Sequence, residues 1–397
     1  MRKFFIAAFS IVLLLAGCAP NFQKEEHVVQ KKDNDTKEKA IIPKYKISEK
    51  YYRTIIPFEP GAARGQVVNN LNTRYDISEF ETGLMRIAQN TFDTEKYVFK
   101  EGQYLKSETV QSWLNRKLTP EQLKENQQRN EEPMNEKDNV GLNPADPGGG
   151  SIEDRNEKNP IYLSHILEHN YLVKTDDKGT YQLGGVTIGL ALNSIHYYQK
   201  EEFGDTFEVD ITHEEVEQEG KKIAQEVVNR LRRMDELKNV PITVALFEQK
   251  SRSSVVPGNF FAYTEVDQGS SNIGSWENVN EKYVLFPSET AKKNHRDDMV
   301  WFENFKQDVE KYFPNYNGVV GKGFYADDQL QELNINIPIQ FYGKAEAVGF
   351  TQYVTGLVME RFPEYVSVQV SISSVNGQES LIIRKPDQKE PTVHIYQ

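Results

Sequence analysis

Two stretches of this 397-residue chain carry the same pattern of alternating and helical apolar positions, and that repetition restricts the fold more than any single motif. In the first, "GGVTIGLALNSIHYY" (184–198) places Val186, Ile188, Leu190 and Leu192 on every second position. A long helical pattern follows, then "VPITVALFEQ" and "FFAYTEV". In the second, "LQELNINIPIQFYG" (330–343) alternates Leu333, Ile335, Ile337 and Ile339. "KAEAVGFTQYVTGLVMERF" then reads as a helix, and "EYVSVQVSISSV" and "SLIIRK" as strands. A period of two turns alternate side chains to one face of a strand, and that face must be covered. The unit is therefore strand, helix, strand, strand, with each sheet buried on one face by helices. An α+β fold with two similar domains in tandem is predicted, residues 48–275 and 276–397.

Local signals fill in the units. Thr212 and Glu215 match a capping box opening the first long helix, whose buried stripe is Val216, Ile223, Val227, Leu231 and Met234. Ser78 reads as the N-cap of an earlier helix carrying Phe80, Leu84, Ile87 and Ala88. "KYVFKEGQYL" reads as a strand broken at Gly102, and "SETVQSWLNRKL" and "TPEQLKENQQ" as short helices. Residues 129–160 are polar and rich in Pro and Gly, which predicts a long mobile surface loop. Tyr283–Phe286 reads as a strand. Asp297 or Asp298 caps a helix carrying Met299, Phe302, Phe305, Val309 and Tyr312. "GVVGKGFY" (318–325) reads as a hairpin turn.

The first eighteen residues, MRKFFIAAFSIVLLLAGC, contain the only cysteine in the chain. Arg2 and Lys3 precede an apolar run from Phe4 to Leu15 broken only by Ser10. Twelve residues of helix span about 18 Å, short of the roughly 30 Å hydrocarbon layer. The stretch reads as a secretory signal peptide, residues 1–17. Leu15, Ala16 and Gly17 before Cys18 resemble the recognition box of a lipoprotein signal peptidase. Cleavage there leaves Cys18 as a lipidated N-terminus, and two acyl chains hold a protein to a membrane stably where one does not. The alternative is an ordinary signal peptide with an incidental cysteine. With its one thiol used in this way the chain has no disulfide, so a core must hold it. Residues 18–47, polar and mixed in charge, are expected to form a flexible tether on the outer face of the cell membrane.

Formal net charge is −12, and −14 once Arg2 and Lys3 depart with the leader, counting side chains. That opposes binding to nucleic acid or to an anionic bilayer surface, so the lipid must do the holding. The sharpest chemical motif is "HILEH", residues 165–169, which matches H-x-x-E-H. On a helix His165 and His169 would share a face and hold Zn²⁺ while Glu168 polarises water, as in an inverted zinc protease. A third ligand is needed, and Glu214, Glu215, Glu217 and Glu219 are too generic to supply it. The other reading is a short amphipathic helix in which Ile161, Leu163, Ile166 and Leu167 pack and the histidines sit near the surface. No G-x-S-x-G, S-x-x-K or P-loop pattern occurs, and no catalytic, cofactor or metal residue is assigned. "SSVVPGNFFAYTEVDQGSSNIGSW" mixes apolar and flexible residues and reads either as a structural loop or as the lining of a groove between the domains.

Together the leader and the segments "NPIYLSHILEHNYL", "GVTIGLALNS", "VPITVALFEQ", "SSVVPGNFFAYTEV" and "FPNYNGVVGKGFYADDQLQELNINIPIQFYG" resemble the CamS sex-pheromone lipoproteins of Gram-positive bacteria. The resemblance covers nearly the whole chain after the leader. It implies that a pheromone is cut from the signal peptide, here within Ser10–Gly17, "SIVLLLAG", and reaches a regulator of conjugation in a recipient cell. It implies no activity for the body, which is expected to be a non-enzymatic binding or interaction module of unknown ligand. The rival is an extracellular hydrolase built on HILEH.

Overall fold

The structure is a computed structural model describing residues 26–31, 37–43, 47–48, 50–129, 139–175, 180–312, 318–341 and 343–397. Residues 1–25, which include Cys18 and the leader, lie outside the described residues.

In chain order the strands are β1 (Glu26–Lys31), β2 (Lys37–Ile42), β3 (Arg53–Thr54), β4 (Tyr97–Glu101), β5 (Leu163–Lys174), β6 (Tyr181–Asn193), β7 (Ile195–Gln199), β8 (Thr206–Asp210), β9 (Ile242–Gln249), β10 (Asn259–Val266), β11 (Glu277–Asn278), β12 (Glu281–Phe286), β13 (Val320–Ala326), β14 (Gln329–Pro338), β15 (Ser367–Ser374), β16 (Gly377–Arg384) and β17 (Thr392–Ile395). The α-helices are α1 (Val67–Asn70), α2 (Arg74–Ala88), α3 (Ser107–Leu114), α4 (Pro120–Arg129), α5 (Ile152–Lys158), α6 (His213–Leu231), α7 (Glu289–Asn294), α8 (Arg296–Tyr312) and α9 (Lys344–Arg361).

The chain builds a mixed α+β architecture on two large sheets. The first runs β11-β10-β9-β6-β5-β4-β3 and the second β12-β13-β14-β15-β16-β17. The strand–helix–strand–strand unit occurs in both. In the first sheet β6 lies parallel to β9 with α6 as the crossover, and β10 returns antiparallel. In the second, β14 lies parallel to β15 across α9, and β16 returns antiparallel. A parallel pair needs a long crossover, which each helix supplies. The capping box forms as read: the Thr212 side chain accepts from Glu215 N, and the Glu215 carboxylate accepts from Thr212 N.

The first sheet departs from the one-faced expectation. From Val186 to Leu192 every residue of β6 is buried. Ile188, Leu190 and Leu192 meet Val216, Ile223 and Val227 of α6, while Ala191 meets Phe80 and Leu84 of α2 on the opposite face. A strand covered on both sides reads as a continuous apolar run. Gly189 allows the close approach of α2, since a Cβ there would sit 2.9 Å from the Phe80 ring and 3.0 Å from Leu84. The second sheet is one-faced. Phe302, Phe305 and Val309 of α8 and Phe350, Val354 and Leu357 of α9 cover Leu333, Ile335 and Ile337 of β14. Glu332 and Asn334 alternate outward.

Four local expectations are corrected. Helix α2 starts earlier than Ser78, because the Thr73 side chain accepts from Asp76 N and caps the preceding turn. Residues 139–160 are not all free loop: residues 141–143 are buried, α5 forms within the segment on the surface, and fully buried Asn143 bonds Leu114 O and both backbone groups of Leu163. "GVVGKGFY" is largely strand β13, and the turn falls at Asp327 and Asp328, whose φ values of 50° and 60° suit a tight hairpin. Within the expected tether, β1 and β2 pair antiparallel, and Ile42 is buried against Ile55, Val98 and Tyr181.

Candidate functional site

HILEH lies on strand β5, not on a helix. His165 pairs with Ala191 of β6, and His169 pairs with Thr187 of β6 and Glu101 of β4. His165, Glu168 and His169 are all buried, at 2%, 5% and 3% exposure, so neither histidine sits at the surface as the alternative reading had it. The pleat sends His165 and His169 to the face that carries Phe80 and Phe99, while Glu168 points the other way. The Glu168 carboxylate accepts from Gln103 N (3.1 Å), Tyr104 N (3.1 Å) and Leu105 N (2.6 Å), satisfying the loop before α3. Burial pushes this carboxyl up and those amides pull it back. Burial lowers His165 to about 4 and His169 to about 3, so both imidazoles are neutral. Among the described residues no group of three or more His, Cys, Asp or Glu can hold a metal ion. A carboxylate committed to three amides is not free to polarise water. The motif belongs to the sheet, and the zinc-helix expectation is withdrawn.

A larger feature joins the two sheets. A groove of about 610 Å³ runs between α2 and the outward face of β12, β13 and β14. Arg86 of α2 crosses to β12, where its Nε and Nη2 donate to the two Glu281 carboxylate oxygens at 2.8 and 2.7 Å. The same Nη2 donates to Glu79, and the Tyr283 hydroxyl donates to the other Glu79 oxygen. Glu79 is 5% exposed. Burial raises its carboxyl, and the Arg86 charge opposes that rise. Arg86 is held further above its ordinary range by the two glutamates, against the pull of burial. Its guanidinium also lies 4.8 Å over the Phe324 ring. Further along, Lys322 stands 5.4 Å from the Tyr75 ring centre and 5.5 Å from that of Tyr283, and burial lowers its ammonium. Lys50 pairs with Glu332 across the same gap. Aromatic walls with fixed charges between them suit a ligand or partner of mixed polarity.

Of "SSVVPGNFFAYTEVDQGSSNIGSW", only Pro257 lines this groove; Phe260 and Phe261 enter the core, and Gly258 N is tied to the Asp76 carboxylate at 2.7 Å. The groove residues are spread over the chain from Lys50 to Asn334, and no local spacing in the sequence joins them. The lipidation residue Cys18 and the recognition residues Leu15, Ala16 and Gly17 fall outside the described residues. Among the described residues no helix is long and apolar enough to cross a membrane.

Fold and groove define a two-sheet α+β protein with a mixed aromatic and charged cleft between its sheets. The chain belongs to the CamS family, described as CamS sex pheromone cAM373 precursor, whose model matches residues 58–390. Its structure is similar to that of a sex pheromone precursor from Lactobacillus salivarius subsp. salivarius UCC118, with a TM-score of 0.78 and 33% identity over 89% of this chain and 98% of that one. It is also similar to the C-terminal domain of the sex pheromone staph-cAM373 precursor from Staphylococcus aureus, with a TM-score of 0.70 and 34% identity over 83% of this chain and 98% of that one. No curated protein matches.

Proposed function

We propose that this chain is exported, cleaved before Cys18 and held by lipid at the outer face of the membrane, and that its leader yields a signalling peptide within Ser10–Gly17. Family membership and the leader sequence support this reading. In this proposal the lipoprotein signal peptidase makes the cut. The released peptide, small, apolar and uncharged along its side chains, acts on a regulator in a recipient cell. Mass spectrometry of culture medium identifies the peptide, and synthetic SIVLLLAG and its C-terminally trimmed forms test it on plasmid-bearing recipients. Absence of any clumping or transfer response would remove the signalling half.

The body is proposed to be a binding module, and the observation that carries this is the groove between α2 and the second sheet. Native mass spectrometry of the protein taken from its own membrane tests it: a bound species is expected in the unmodified protein and lost in Tyr75→Ala with Lys322→Glu. An identical spectrum for both proteins would count against the groove. The division into two domains is part of the same proposal, with the boundary moved from 275/276 to beyond β11, which pairs with β10 of the first sheet; expressing 48–279 and 280–397 separately and measuring cooperative unfolding of each tests it.

A further inference from the structure

The charges that line the groove between α2 and the second sheet cancel. Three cations, Lys50, Arg86 and Lys322, meet three carboxylates, Glu79, Glu281 and Glu332. Arg86 is bonded to Glu79 and Glu281, Lys50 to Glu332, and the Glu79 charge acts on Lys322. An ion entering the groove would have to displace one of these partners and shed its water as well. The groups left over are uncharged. Tyr51 and Tyr75 stand on the wall, each 48% exposed. Ser78 of α2 and Gln331 and Asn334 of β14 also line it, and their side chains are hydrogen-bonded to no other described residue. Such amides continue beyond the groove. Asn334 lies in register between Lys322 of β13 and Gln369 of β15, on the face turned away from α8 and α9. Gln369 and Asn336 are exposed there and are hydrogen-bonded through their side chains to no other described residue. An open sheet face is ordinarily solvated. This one differs in leading into a groove walled by exposed aromatic rings.

We propose that the groove and this face bind an uncharged oligosaccharide, its sugar rings against Tyr51 and Tyr75 and its hydroxyl or acetamido groups on Ser78, Gln331, Asn334 and Gln369. The proposal rests on the reading of the groove as a binding site. A sugar ring has a face of C–H bonds, which meets the negative face of an aromatic ring, and a rim of hydroxyls that the aromatic ring leaves free. A primary amide donates through its nitrogen and accepts through its oxygen, so each Asn or Gln answers a hydroxyl or an acetamido group in either sense. An extended peptide is served less well. It joins a sheet by adding a strand to a free edge, and β13 and β14 are paired on both edges. At about 4.8 Å between strands, β12 to β15 span about 14 Å, which suits a chain of sugars rather than a single ring.

The pentamers of N-acetylglucosamine and of glucose, both β-linked and uncharged, are the probes. Titration of isotope-labelled protein, followed by magnetic resonance, is expected to show saturable shifts at the amides of Tyr75, Asn334 and Gln369 with at least one of them. Because no ion pair forms with the ligand, its affinity should change less than about twofold between about 0.05 M and about 0.5 M salt. Tyr75→Ala should weaken binding about tenfold, while Tyr75→Phe, which keeps the ring, stays within about twofold. No saturable shift with either pentamer would overturn the proposal, as would shifts confined to other surfaces, binding lost in high salt, or a Tyr75→Ala protein that binds as well as the unmodified one. A species held in the groove by native mass spectrometry, together with indifference to both pentamers, would keep the binding site and refute the sugar.

Discussion

Lowering the pH should destabilise this protein through histidines that the fold keeps neutral, and His169 allows the effect to be sized. An unfolded histidine titrates near 6.5, whereas burial against Phe99 places His169 at about 3. Between those values the unfolded chain binds a proton that the fold refuses. Stability is therefore full above about pH 6.5 and falls by about 1.4 kcal/mol for each unit below it, until the folded value is reached. From pH 7.5 to pH 5 this one residue costs about 2 kcal/mol. The figure hardly changes if the folded value moves by a unit, because both ends of the range lie above it. His165, at about 4, adds a similar amount. Asp76, Glu79 and Glu168, whose carboxyls burial raises, bind protons more readily in the fold and pull the other way. The clean quantity is thus a difference between proteins. Denaturant unfolding of the unmodified protein and of His169→Phe at pH 7.5, 6.5, 5.5 and 5 should give stability curves whose separation changes by about 2 kcal/mol across the range. Curves that stay parallel would show that His169 is protonated in the fold, and the account of β5 as a dry, buried strand would fail.

Two further outcomes follow from single contacts. Arg384, 2% exposed, donates to the carbonyl oxygen of Val358 in the last turn of α9 and to those of Phe362, Pro363 and Val366 beyond its end; Arg384→Met leaves them unpaired and should cost about 3 kcal/mol or more in denaturant unfolding, whereas a loss below about 1 kcal/mol would show that these bonds carry little. Across the groove, Arg86→Met and Glu281→Gln, alone and together, should show a coupling of at least about 1 kcal/mol; additive effects would mean that the bridge does not tie the sheets together.

The repeat was readable because its evidence is local and periodic. Alternation at Leu333, Ile335 and Ile337 and the capping box at Thr212 and Glu215 are physical necessities written within a few residues. Strand β5 was misread because three polar residues in five, His165, Glu168 and His169, suggested a surface helix. Their partners, the Gln103–Leu105 amides, the Asn70 side chain and the Phe99 ring, come from chain segments 60 to 100 residues away. The groove stayed hidden for the same reason, since Arg86 and Glu281 meet only after both sheets exist. Residues 139–160 looked like a loop by composition, yet one buried asparagine, Asn143, stitches them to α3 and β5.

The central claim is that Cys18 becomes the lipid-bearing first residue of the surface form. Intact-mass and N-terminal analysis of the membrane fraction, from cells fed radiolabelled fatty acid, tests it most directly. The account predicts a labelled chain of residues 18–397 that begins at an acylated Cys18, and an unlabelled, uncleaved chain for Cys18→Ala. A free thiol on the mature protein, or a first residue other than Cys18, would contradict it.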